Sequence, residues 1–166
     1  MNSLVVYESK FGNTQRVAEL IGKALGSHGN APVVDIESPD ALKLEKVDLL
    51  VIGGPTQAHG MSPALRVYLD GLISRAPAGM RAAIFDTRLK GPGFLWGSAA
   101  KAIADQLRKA AFVVVAPPES FLVEGMKEPR MVDGEEQRAQ AWAVEIGAQV
   151  SERYPATVRS LGPQTT

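Results

Sequence analysis

Short, nearly unbroken apolar runs alternate along this chain with stretches in which apolar positions recur at helical spacing. "SLVVY" at residues 3–7 is rich in β-branched residues. After it, Val17, Ala18, Leu20, Ile21, Ala24 and Leu25 line one face of a helix. Gly26, Gly29 and Asn30 end that helix, and "APVVDI" supplies a second strand. "VDLLVIGGP" at 47–55 is the most apolar run of all, closed by Gly53, Gly54 and Pro55, as expected of a central strand covered on both faces. A helix from Pro63 to Ser74, a fourth strand "MRAAIFDT", a helix opened by Ser98, a fifth strand "FVVVAP" and a last helix from Gly134 to Arg153 complete the series.

Five strands alternating with helices pair in parallel through right-handed crossovers. The expected fold is therefore α/β, a three-layer, doubly wound, five-stranded parallel sheet. One domain, residues 1–154, is followed by a polar tail, 155–166. Ligands of such sheets bind beyond the carboxyl ends of the strands. This draws attention to the turns after strands one, three and four: "ESKFGNT", "GGPTQAHGMS" and "DTRLKGPGFLWGS".

Composition narrows the chemistry. The 166 residues carry 18 basic and 18 acidic side chains, so no basic field attracts nucleic acid, and no apolar run is long enough to span a bilayer. The first residues show neither a basic leader nor a cleavage signal and read as the start of a strand; a cytoplasmic protein is expected. There is no cysteine. Thiol nucleophiles, thiolate metal sites and disulfides are excluded, so redox chemistry would need a borrowed cofactor.

The first turn lacks both the lysine of a triphosphate loop and the GxGxxG of a dinucleotide loop. It suits an anion with one terminal phosphate. Backbone N–H groups of Phe11 to Thr14 lie at the positive end of the first helix, Ser9 and Thr14 offer hydroxyls, and Gly12 permits close approach. An ordinary helix cap by Asn13 or Thr14 is the alternative, and the turn alone does not separate the two. Lys10 is expected to be solvated.

"YESKFGNT" resembles the phosphate loop of the flavodoxin family, a hydroxyl residue and two variable positions before Gly-Asn-Thr. Thr56 at the end of "GGPT" and "GSAAKAIADQLRKAAF" after the fourth strand resemble that family's two flavin-loop regions, over roughly residues 3–152. The fifth strand carries no large insertion, as in the short-chain form. The resemblance implies non-covalent FMN. Ser9, Phe11, Gly12, Asn13 and Thr14 would hold its phosphate, with Lys10 beside them. Pro55, Thr56, Gln57, Ala58, His59 and Gly60 on one side, and Thr87, Arg88, Gly93, Phe94, Trp96 and Gly97 on the other, would enclose its ring.

Glycines 53, 54, 60, 91, 93 and 97 would let backbone amides approach the ring edge, and Phe94, Trp96, His59 or Met61 would stack on it. Unlike the best-known flavodoxins, the second turn has no tryptophan and the third no tyrosine. Trp96 also suits a staple on the following helix, Arg88 and Lys90 suit solvent, Asp35 and Asp86 suit turn caps, and Trp142 suits the core.

The leading expectation is a one-electron carrier between redox partner proteins. An FMN-dependent NAD(P)H oxidoreductase acting on a quinone or similar acceptor is the alternative. A phosphoryl-accepting receiver on the same strand plan is excluded, because Glu8 stands alone and Gly53, Gly54, Ala116 and Pro117 occupy the places of its acidic and lysine residues.

Overall fold

Apolar runs become interior strands when helices cover both faces, and the computed structural model bears this out. It describes residues 1–38, 43–57, 60–91 and 97–153. In chain order the elements are β1 (Ser3–Tyr7), α1 (Asn13–Leu25), β2 (Val33–Asp35), β3 (Leu49–Pro55), α2 (Pro63–Ile73) and β4 (Arg81–Leu89). There follow α3 (Ala99–Lys109), β5 (Val113–Val114), β6 (Glu119–Glu124), β7 (Arg130–Met131) and α4 (Glu135–Arg153). The strands form one sheet in the order β2-β1-β3-β4-β6-β7, with β5 also on β4. Every pairing is parallel except that of β6 with β7. The chain leaves β1 toward β2 on one side and returns to β3 on the other, so a crevice opens at their carboxyl ends.

Side-chain alternation along the central strands builds two cores. Leu4, Val6, Leu50, Ile52, Ala82 and Ile84 pack under α2 and α3, while Val5, Tyr7, Leu49, Val51, Ala83 and Phe85 pack under α1 and α4. These are the three expected layers. Trp142 belongs to the second core, edge-on to Phe85 and Phe121 at 6.5 and 6.0 Å between ring centroids. Ser62 and Ser98 open α2 and α3, accepting from Leu65 N at 3.0 Å and Lys101 N at 3.1 Å.

The fifth strand departs from expectation. Of "FVVVAP" only Val113 and Val114 pair with β4, and Val113 is exposed. Pro117 and Pro118 have no N–H to give to a ladder, so pairing stops and resumes at Glu119. The resumed strand β6 runs beside the end of β4 from Phe85↔Glu119 to Leu89↔Val123 and turns back as β7.

Gly53 and Gly54 also serve a purpose other than the expected one. A Cβ on Gly53 would lie 2.4 Å from the Phe85 ring, and one on Gly54 2.5 Å from Leu65. They are glycines because the core fills their side-chain space. Among the described residues no helix is long and apolar enough to cross a membrane, and no acidic, histidine or cysteine cluster could hold a metal. The expected tail, from 155 on, lies outside the described residues.

Candidate functional site

At the carboxyl edge of the sheet a cleft of about 280 Å³ opens between the β1–α1 turn, the end of β3, the end of β4 and the β6–β7 hairpin. Phe11, Asn13 and Thr14 line it on either side of Gly12. This glycine caps α1 in the left-handed region, φ 85°, and no side chain caps the helix. Asn13 and Thr14 are thus not the helix cap that was the alternative for this turn. Asn13 Nδ2 donates to Pro129 O at 2.8 Å, tying the turn to the hairpin, and the Thr14 hydroxyl meets that of Thr87 at 2.7 Å. The consequence is electrostatic. Among the described residues no oxygen accepts from the backbone N–H of Phe11, Asn13, Thr14 or Gln15, so the positive end of α1 keeps its donors free. Ser9 Oγ accepts from Gly12 N at 3.1 Å, which leaves its own proton to donate. Phe11 is 58% exposed at the mouth, with Lys10 Nζ 5.4 Å from its ring centroid.

The other walls come from the ends of β3 and β4. Pro55, Thr56 and Gln57 line the cleft, but the Thr56 hydroxyl is committed elsewhere. It donates to Asp86 Oδ2 at 3.0 Å and accepts from Ala99 N at 2.9 Å. The same Oδ2 accepts from Ser98 Oγ at 2.7 Å and Ala100 N at 2.9 Å, while the second oxygen of the fully buried Asp86 has no partner among the described residues. Asp86 is therefore more than a turn cap: it clamps β3, β4 and the start of α3 together beneath the cleft. Asp35 behaves as expected, accepting from Glu37 N at 2.9 Å.

Gln57 and Gly60 exchange backbone hydrogen bonds of 2.8 and 2.9 Å. Gly97 takes φ 67° just before Ser98. Met61 does not face the cleft; it is buried in the core under α2 and α3. Ala58, His59, Gly93, Phe94 and Trp96 lie outside the described residues.

Arg88 was expected either in solvent or beside the cofactor ring. It is half-buried and lines the cleft, whereas Lys90 is exposed. Leu89, Val123, Met126 and Pro129 were not anticipated at all. Their sequence signal is the alternating run "ESFLVE" followed by Gly125 at φ 94°, a strand and turn hidden behind two prolines.

A charged clasp fixes this wall. Arg138 of α4 donates to Glu119 Oε1 at 2.5 Å, to Glu135 Oε2 at 2.6 Å and to Ser120 O, with its guanidinium 4.7 Å over the Phe121 ring. Burial pushes the Glu135 carboxyl up, yet the Arg138 guanidinium and the Leu122 N–H outweigh it and hold the group below its ordinary value.

A sequence model of the flavodoxin domain matches residues 4–89, more than half of the chain and all of the strand–turn elements from β1 to β4. The protein belongs to the flavodoxin family. A flavodoxin from the domain Archaea shares the fold at TM-score 0.76 and 23% identity, over 91% of this chain and 99% of that one. Flavodoxin 1 from Bacillus cereus does so at TM-score 0.72 and 21% identity, over 92% and 98%. The flavodiiron core from Synechocystis matches at TM-score 0.74 and 15% identity; there this chain covers only 36% of the larger protein.

Membership in the flavodoxin family implies a flavin cofactor. The residues present fit one with a phosphate: free N–H donors stand at the positive end of α1, and the cleft beside them has no carboxylate among its described lining residues.

Proposed function

We propose that the protein binds FMN in this cleft and passes electrons one at a time between redox partner proteins in the cytoplasm. The observation that carries the proposal is the uncapped N-terminus of α1 opening into a cleft with no carboxylate among its described lining residues. The N–H groups of Phe11, Asn13 and Thr14, with the Ser9 hydroxyl, would hold the phosphate dianion, and Gly12 sets the turn that aims them. Pro55, Gln57 and Thr87 would flank the remainder of the cofactor. FMN supplies the electron chemistry; the protein binds it, orients it and sets its potential.

An NAD(P)H-dependent reductase on the same cleft is the second reading. Two observations favour it. The chain has no net charge to steer basic partners, and Phe11 and Met126, 58% and 76% exposed, stand at the cleft mouth where a flat apolar acceptor could rest.

The test is to titrate the protein with FMN and with riboflavin, following flavin fluorescence. FMN is expected to be quenched and riboflavin to bind far more weakly, because the N–H donors have no phosphate to hold. No quenching by either defeats the proposal. NADPH added without oxygen then separates the readings: bleaching without a partner protein favours the reductase, and an unchanged spectrum favours the carrier.

A further inference from the structure

Arg88 occupies an unusual place for a cation. It lines the cleft, its Nε is shielded from solvent without an acceptor, and no ion pair reaches its guanidinium among the described residues. A guanidinium without an acceptor in the protein keeps its charge for a ligand. It is therefore available to a negative charge in the cleft.

Strand alternation shows which charge is meant. Thr87 faces α1, where its hydroxyl meets Thr14. Asp86 faces α3, where it accepts from Ser98 and Ala100. Arg88 shares the Asp86 face, two residues on, and so lies across the strand from the α1 donors that suit a phosphate. The β4 strand reaches this position because it outruns β3. Pairing with β3 ends at Pro55↔Thr87, whereas pairing with β6 continues through Arg88↔Leu122 and Leu89↔Val123.

We propose that Arg88 receives the negative charge that the ring end of the cofactor gains on full reduction, and so favours the two-electron reduced state. The inference rests on the FMN proposal. A neutral isoalloxazine that takes up two electrons and one proton carries one net negative charge. The electrons come from the reduced partner or nicotinamide, or from dithionite in the test, and the proton from solvent. A guanidinium within the cleft lowers the free energy of that anion and leaves the neutral oxidised ring almost unaffected.

The full chain, R88Q and R88K are compared after circular dichroism confirms their fold. Affinities for FMN and riboflavin are measured by fluorescence, and midpoint potentials by spectroelectrochemical titration. R88Q is expected to lose more affinity for reduced FMN than for oxidised FMN. Its preference for the reduced cofactor should fall about tenfold, a shift of about −30 mV for a two-electron couple. R88K, which keeps the charge, should recover part of that shift and serves as the test if R88Q does not fold. Unchanged potentials in R88Q, or a lower potential in R88K than in R88Q, overturn the inference alone. A large loss of FMN affinity in R88Q with riboflavin unaffected also overturns it, because Arg88 would then serve the phosphate. Failure of the parent to bind FMN overturns the functional proposal and this inference together.

Discussion

The hydroxyl pair Thr14–Thr87 joins the phosphate-loop candidate to the end of β4, and its energetics follow from burial. The two oxygens lie 2.7 Å apart, and the residues are 2% and 4% exposed. Replacing Thr14 with Val keeps the shape and removes one hydroxyl, so the Thr87 hydroxyl is left buried without its partner. That costs about 1–3 kcal/mol, and Thr87→Val costs the same for the converse reason. The double variant removes both hydroxyls and replaces them with methyl groups of the same shape, which is close to neutral. A double-mutant cycle should therefore show a coupling equal to the sum of the two single costs, about 2–6 kcal/mol, with the double variant more stable than either single one. Urea denaturation of the four proteins with equal m-values provides the measurement. In thermal unfolding each single variant should melt about 2–12 °C lower, since 1 kcal/mol moves Tm by about 2–4 °C in a domain of this size. Strict additivity, with the double variant losing the sum of the two single costs, would refute the pairing.

Three further outcomes are expected. Asp86→Ala should lose about 3 kcal/mol or more, because Thr56, Ser98 and Ala100 all lose a charged acceptor, whereas Asp86→Asn keeps one oxygen for them and should lose much less; equal losses in chemical denaturation would show that the acceptor role is not what matters. Gly53→Ala should destabilise the fold by about 1–3 kcal/mol by forcing the Phe85 ring aside, and unaltered stability would contradict the close approach. The Glu135 carboxyl is held below its ordinary 4.5 in the folded chain. The unfolded chain therefore takes up its proton first as pH falls. The stabilisation from Glu135 is complete above pH 4.5 and is lost below it, as pH falls through the folded value. Glu135→Gln should flatten the acid limb of a stability-versus-pH curve, and an unchanged limb would sink the assignment.

Local order was legible in the sequence wherever burial on both faces or helical periodicity left one solution. β1, β3 and β4 are such runs, and Ser98 announced the helix it opens. The phosphate-loop candidate was legible for the same local reason: a strand, one glycine able to take φ 85° and a helix start are consecutive in the chain. Whether Asn13 and Thr14 would cap that helix was not legible, because their partners, Pro129 and Thr87, lie 116 and 73 residues away.

The sequence by itself determined the doubly wound plan, the turns that reach the carboxyl edge and the absence of thiol chemistry, since these depend on residue type and near-neighbour spacing. Only the tertiary structure decided what the sequence left equivalent. Gly53 and Gly54 proved to be space for Phe85 and Leu65. The interrupted fifth strand became a fourth wall of the cleft. Asp86 became a clamp, and Arg88 a half-buried cation lining the cleft. The physical reason is common to all four: desolvation and hydrogen bonding depend on which distant groups are brought together, and a single side chain carries no mark of its future neighbours.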